Sequence, residues 1–489
     1  MMNGELEETL DPHDWTETRA LAHRMVDDAV NHLSTVRDRP AWQSMPEDVR
    51  ASYRAPLPMG PMPLEHVYEE MRQNLIPYAM GNVHPRFWGW YMGASNFTGA
   101  LGDFLAAIDG SNLGGGDTAA AATDWQVVAW LTEMMGFPAT ASGTLTSGGS
   151  MANMVGLTVA RNALAGVDVR AEGITSLPSG MRFYTSDQAH TAHQKALEIL
   201  GLGRKSLRLV ASDEAFRMDI SALEAAIAED RAAGLRPVCV IAAAGTTNTG
   251  SIDDLKTIGE LCRREDLWFH IDGCIGALIK IAPDHGHLVD GLEQADSLAL
   301  DPHKWMHTPF EAGCALVRDA QLHRDTLALH GEYLEEKPRG LAAGEFLSDY
   351  SFELSRGFKA LKIWMSLKEQ GVEKFGRLID QNIRQGHYLT ELIEAHEKLE
   401  LMAPTAINIV CFRYQATGAD EATTKALNTE IMLRIQESGT AVPSDTTVHD
   451  RYALRVAINN HRTTQADLDL FIAEVLRRGN ELEQELNRS

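Results

Sequence analysis

The chain has 489 residues, more than one core usually supports, so two or three structural units sharing a large buried interior are expected. Hydrophobic residues make up 44% and charged residues 23%, an ordinary globular composition, and no apolar run approaches the roughly 18 residues of a membrane span. With 44 Lys and Arg against 68 Asp and Glu the formal net charge is −24, a surface that repels nucleic-acid backbones and anionic membranes.

Residues 1–92 read as polar helical stretches broken by a proline-rich connector from Ala55 to Pro63, which makes an extended arm more naturally than a domain. The N-terminus is acidic and has no apolar stretch of a secretory leader, and five dispersed cysteines without a CxxC pair argue against a disulfide framework; both fit a cytoplasmic protein. Residues 93–367 alternate short β-rich runs with amphipathic helical stretches, the pattern of a mostly parallel sheet covered by helices. The runs that read as buried strands are 182–185, 238–244, 267–271, 297–300 and 314–317. Residues 368–489 repeat helix and strand patterns and read as a smaller α/β unit.

His190, Thr247, Asp272 and Lys304 follow the first four of those strands. In a parallel sheet the strands share a direction, so these groups gather at the carboxyl edge, where α/β sheets bind ligands. Gly148-Gly149-Ser150 runs directly into a helical stretch, and a helix N-terminus opened by glycines can take a phosphate on its free N–H groups, with Ser150 as cap or donor. Alone, such a turn is an ordinary helix start. Asp272 ends an apolar run; it is either a cap or core ion pair, or a carboxylate beneath a protonated pyridine nitrogen. Lys304, flanked by His303 and Trp305, is placed to be desolvated and nucleophilic. Their combination points to pyridoxal-phosphate chemistry. His190 with His193 and His285 with His287 are candidate metal pairs, but neither has a third ligand at a suitable spacing, so no metal is expected.

Ser147-Gly148-Gly149-Ser150, Ser186-Asp187-Gln188-Ala189-His190, Gly245-Thr246-Thr247, His270-Ile271-Asp272 and Pro302-His303-Lys304-Trp305 stand in the order and spacing of the group II pyridoxal-phosphate decarboxylases. The chain resembles that family, which includes aromatic L-amino-acid, histidine and glutamate decarboxylases, from His84-Pro85 to about Arg455. The resemblance implies the fold type I architecture: a large domain at 93–367 with a mostly parallel seven-stranded sheet, a smaller C-terminal α/β domain at 368–489, and a helical arm at 1–92 that wraps the partner of a homodimer. It further implies that Lys304 forms the Schiff base and Asp272 pairs with the pyridine nitrogen. His190 would stack on the ring and Thr247 would lie near its 3-oxygen, with Gly149, Ser150 and His303 at the phosphate or the catalytic face. Several relatives carry Asn where this chain has Asp301, and no phosphate contact is assigned to that carboxylate.

The stretch from His330 to Gly340 is either an ordinary surface loop or, as in relatives, a mobile loop whose tyrosine, here Tyr333, reaches a neighbouring subunit's site. Trp90 and Tyr91 resemble the substrate-pocket aromatics of aromatic decarboxylases, or they pack in the core. Asn112–Asp117 puts small residues where those enzymes carry bulkier ones. The expected reaction is decarboxylation of an L-amino acid, aromatic by resemblance, to the amine and CO2. An aldehyde synthase, a glutamate-type decarboxylase or an aminotransferase on the same fold, and a catalytically inactive dimerising homologue, are the alternatives.

Overall fold

Strand-forming runs in the middle of the chain pair into one sheet in the computed structural model, which describes residues 8–177, 180–329, 331, 336–486 and 488. The strands are β1 (Ser142–Thr146), β2 (Met181–Ser186), β3 (Leu207–Val210), β4 (Arg236–Ala243), β5 (Trp268–Asp272), β6 (Ser297–Leu300) and β7 (Gly313–Val317), in the order β1-β7-β6-β5-β4-β2-β3. β2 to β6 are mutually parallel, and β7 is antiparallel to both β1 and β6, so β1 runs with the others and β7 alone runs against them. The expectation of one shared direction therefore fails for 314–317. The short link after Trp305 leaves no room for the crossover a parallel strand needs, and the chain turns straight back.

β1 was not visible as a strand because Ser-Gly-Thr-Leu-Thr carries little apolar signal, although every residue of it is buried. β3 is a four-residue edge strand with only Val210 buried. Helices cover both faces, which is why β6 and β7 are buried throughout. The helix Gly149–Ala163 packs on β6 and β7. On the other face the helix Leu255–Glu265 buries Leu255, Ile258, Leu261 and Cys262 at helical spacing, and its N-cap Asp254 accepts from the Thr257 N–H.

A second, antiparallel sheet has β8 (Leu399–Leu401), β9 (Ile409–Tyr414), β10 (Ser444–Val448) and β11 (Arg451–Ala457) in the order β10-β11-β9-β8. Its core is aromatic: Phe412 and Phe471 meet at 6.0 Å, and Trp88 packs edge-on to Phe471 at 5.3 Å. Trp88 comes from the N-terminal 92 residues, and its main chain bonds Val442 and Ala457. The helix Trp15–Ser34, by contrast, buries none of its residues. Among the described residues no helix is long and apolar enough to cross a membrane. All five cysteines are free and buried.

Candidate active site

A cavity of about 400 Å³ opens at the carboxyl edge of the large sheet. Its walls come from the segments after β1 (Gly148, Gly149), β2 (His190), β4 (Gly245, Thr247), β5 (Asp272, Cys274) and β6 (Asp301, His303, Lys304), with Glu311 added from the turn before β7. Gly149, Ser150, His190, Thr247, Asp272, His303 and Lys304, named from the sequence, thus line one space. Tyr333 lies outside the described residues.

The glycine turn is a close-packed cradle. Gly148, at φ 158° and ψ −178°, adopts a backbone that side chains disfavour. A Cβ on Gly149 would run into Cys274 Sγ and stand 2.8 Å from Asp301 Oδ2. No side chain caps the helix that follows, and Met151 and Ala152 donate back to the Gly148 carbonyl, which leaves the N–H groups of Gly149 and Ser150 at the cavity lining for an anion. The turn is anchored from behind: Asn153 donates to the Gly149 carbonyl at 2.9 Å, and His270 Nε2 donates to Asn153 Oδ1 at 2.7 Å. His270 Nδ1 in turn accepts from Ser297 Oγ, also at 2.7 Å. Burial pushes His270 down to about 3, so it works as a neutral strut.

Asp272, at the end of β5, accepts from His193 Nε2 at 2.9 Å and from the Cys274 N–H at 3.2 Å. Burial opposes its charge, but the bond from His193, the Cys274 contact and the Lys304 cation outweigh it and hold the carboxyl well below its usual range. His193 carries no signal of this role in sequence except its three-residue spacing from His190. The two histidines are placed differently: His193 Nε2 is bonded to Asp272, while His190 stands exposed at the cavity with Nδ1 accepting from the Ala192 N–H. Although its side chain is exposed, desolvation by the surrounding site, ahead of the opposing pull of Asp272, holds His190 below its ordinary range.

Lys304 Nζ lies 2.9 Å from Asp301 Oδ2. Burial would lower its amine, but Asp301, with Cys274 and Asp272 beyond it, reverses the sign and holds Lys304 above its ordinary range. His303 is buried, packs tilted against Phe310 at 4.5 Å between ring centroids and accepts the Ala312 N–H on Nδ1 at 3.2 Å, leaving Nε2 to carry the proton. Burial lowers it, with Asp301 pulling the other way.

Trp90 and Tyr91 do not line the cavity. Tyr91 is buried edge-on to Trp305 at 6.0 Å, its hydroxyl on Asn408, whereas the Trp90 ring is exposed. Arg455, unassigned from sequence, ties this region together: the residue is 4% exposed and its guanidinium donates to the carbonyls of Trp90, Thr247 and Asn248. The small residues at 114–116 have a packing reason. Cβ atoms there would stand 2.7 Å from the Leu354 carbonyl, 2.7 Å from Phe346 Cα and 2.5 Å from the Leu341 carbonyl.

An anion cradle, an ionised carboxylate and a cavity-facing amine form a donor set that fits a phosphate-bearing aldehyde with a basic ring nitrogen. The family described as pyridoxal-dependent decarboxylase conserved domain matches residues 46–415. The aromatic-L-amino-acid decarboxylase of Bacillus atrophaeus is 32% identical over 458 residues, 92% of this chain and 93% of that one. The phenylacetaldehyde synthase of Petunia hybrida is 28% identical over 479 residues, 94% and 93% of the two chains. A crystal structure of Oryza sativa TDC with PLP and tryptamine aligns at a TM-score of 0.89 and 25% identity, covering 97% of this chain and 100% of that one. With site chemistry and whole-length similarity in agreement, the chain belongs to the pyridoxal-dependent decarboxylase family, and pyridoxal 5′-phosphate is its cofactor.

Proposed function

We propose that the protein releases CO2 from an aromatic L-amino acid and returns the amine, with Lys304 as the residue that holds the cofactor covalently. The observation that carries this reading is the single cavity shared by the Gly148–Gly149 turn, the His193-bound Asp272 and Lys304. When bound, pyridoxal phosphate supplies an electron sink for the bond to the substrate carboxylate. The N–H groups of Gly149 and Ser150 bind the phosphate at the helix start. Asp272, kept ionised, holds a proton on the ring nitrogen. His190 would cover one ring face, and Thr247 would hydrogen-bond beside the ring oxygen. His303 Nε2–H and the Tyr333 phenol are the candidate donors of the proton that Cα requires after CO2 has left. Arg455 ties the main chain of Trp90 to that of the cavity residue Thr247, and the exposed Trp90 ring is a candidate contact for the substrate side chain.

The aromatic assignment rests on relatives named as aromatic amino-acid decarboxylases. A second reading, decarboxylation with oxidative deamination to an aldehyde, is supported by the phenylacetaldehyde synthase relatives. We also propose a homodimer. The helix Trp15–Ser34, none of whose residues is fully buried, and the exposed Leu57, Met59 and Leu64 give the N-terminal segment an apolar surface for a second copy. Incubating the purified enzyme with each of the twenty amino acids and measuring CO2, amine, aldehyde and peroxide tests the function. Amine from tryptophan, tyrosine, phenylalanine or dihydroxyphenylalanine is expected. CO2 from glutamate alone would overturn the substrate class, and aldehyde with peroxide would select the second reading.

A further inference from the structure

We propose that Asp301 gates cofactor attachment: its carboxylate holds Lys304 as the ammonium ion and must release it before the lysine can join the cofactor's aldehyde. This rests on Lys304 being the attachment residue. Three features of the geometry carry it. Lys304 Nζ and Asp301 Oδ2 are 2.9 Å apart. Asp301 is 2% exposed, and its second oxygen, Oδ1, is buried with no hydrogen-bond partner among the described residues. Such a carboxylate leans on its one strong cationic neighbour, because an unpaired buried charge is costly. Finally, Asp301 lies under the anion cradle: Cβ atoms built on Gly149 and Gly148 would stand 2.8 Å from Oδ2 and 4.0 Å from Oδ1. One carboxylate therefore touches the amine that must react and underlies the turn that must take the phosphate.

The other ionisable groups facing Asp301 do not replace Lys304. His303, on the same segment, has Nε2 3.7 Å from Oδ2, and His190 faces it from the segment after β2; burial lowers both imidazoles, so neither supplies a cation at neutral pH. Cys274 from the segment after β5 and Cys314 from β7 are thiols pushed up by burial. Asp272, at the end of β5, acts on Lys304 with the same sign as Asp301.

An ammonium nitrogen has no lone pair. Attachment therefore requires one proton to leave Nζ for solvent in the cavity. The lone pair then adds to the aldehyde carbon, and the aldehyde oxygen departs as water with the two hydrogens left on Nζ as the carbon–nitrogen double bond closes. An opposite charge within about 4–6 Å shifts a pKa by roughly one to three units. Removing it frees the amine at correspondingly lower pH. Removing a negative charge from beneath the cradle also favours a phosphate there.

The test uses protein stripped of cofactor and reloaded with pyridoxal phosphate in a stopped-flow cell, following the imine absorbance across pH. Asp301→Asn is expected to attach cofactor about tenfold or more faster at pH 7, with its pH midpoint lowered by about one unit or more. It should also bind pyridoxine 5′-phosphate, which has no aldehyde, more tightly, and that binding reports an intact cavity. Asp301→Glu, which keeps the charge, should restore the slow, high-pH profile. Equal or slower attachment by Asp301→Asn with an unchanged midpoint overturns the gate. If that variant does not fold, the wild-type profile decides: the rate should still climb above about pH 9, and a plateau below about pH 8 overturns the proposal. Lys304→Ala separates the two readings, since imine absorbance that survives in it refutes the choice of lysine rather than the gate.

Discussion

His193 Nε2 donates to Asp272 Oδ2 at 2.9 Å, and this bond fixes which way the carboxylate faces. His193 is 1% exposed, on the helix Ala192–Ile199, so β2 and β5 are joined through the site itself. A hydrogen bond to a charged group contributes about 1.5–3 kcal/mol. His193→Ala should therefore weaken pyridoxal-phosphate binding by roughly tenfold to a hundredfold, read from an equilibrium titration, and His193→Gln should recover part of the loss. An unchanged affinity in His193→Ala would make the histidine a packing residue only.

Gly149→Ala tests the cradle. Its methyl group would collide with Cys274 Sγ and crowd Asp301 Oδ2. Overpacking of this kind typically costs about 1–3 kcal/mol. Cofactor affinity should fall by roughly tenfold or more, and adding Cys274→Ala should restore some of it. If Gly149→Ala binds cofactor as wild type does, the turn does not hold the phosphate.

Much of this site was legible in the sequence because its residues come as short motifs placed just after apolar runs. A parallel sheet converts that linear order into a cavity. Lys304, Asp272, His190 and the glycine turn were found this way. His193 and Arg455 were not, for different reasons. His193 acts through one contact to a residue 79 positions away, which no local pattern encodes. Arg455 sits inside β11, where it looks like an interruption of a strand, and its role is set by three carbonyls from distant segments. In the fold, β1 escaped, as did the direction of β7 although its strand at 314–317 was read, because strand direction and polar buried strands are decided by pairing, not by periodicity.

A pH effect follows from His323. Its ring is fully buried against Ser142 Oγ at 2.9 Å and Tyr350 at 5.2 Å, and burial pushes it down to about 4. An unfolded histidine titrates near about 6.5. Between those values the unfolded chain binds a proton that the folded one refuses, so stability is full above about pH 6.5 and is lost as pH falls toward 4. His323→Gln should flatten the slope of unfolding temperature against pH in that window. An identical slope in the variant would place the acid sensitivity elsewhere.

Tyr333→Phe tests the proton donor. General acids typically contribute about 10²–10⁴-fold. If the phenol protonates Cα, the variant should still release CO2 but yield less amine and more aldehyde, measured by product chromatography. Amine formed at the wild-type rate would transfer the role to His303 Nε2.

The central claim is that Lys304 holds the cofactor. The direct measurement is borohydride reduction of the holoenzyme followed by digestion and mass mapping of the pyridoxyl group. The account predicts the label on the peptide containing Lys304 and its loss in Lys304→Ala. A pyridoxyl group on any other lysine, with the Lys304 peptide unmodified, would contradict it.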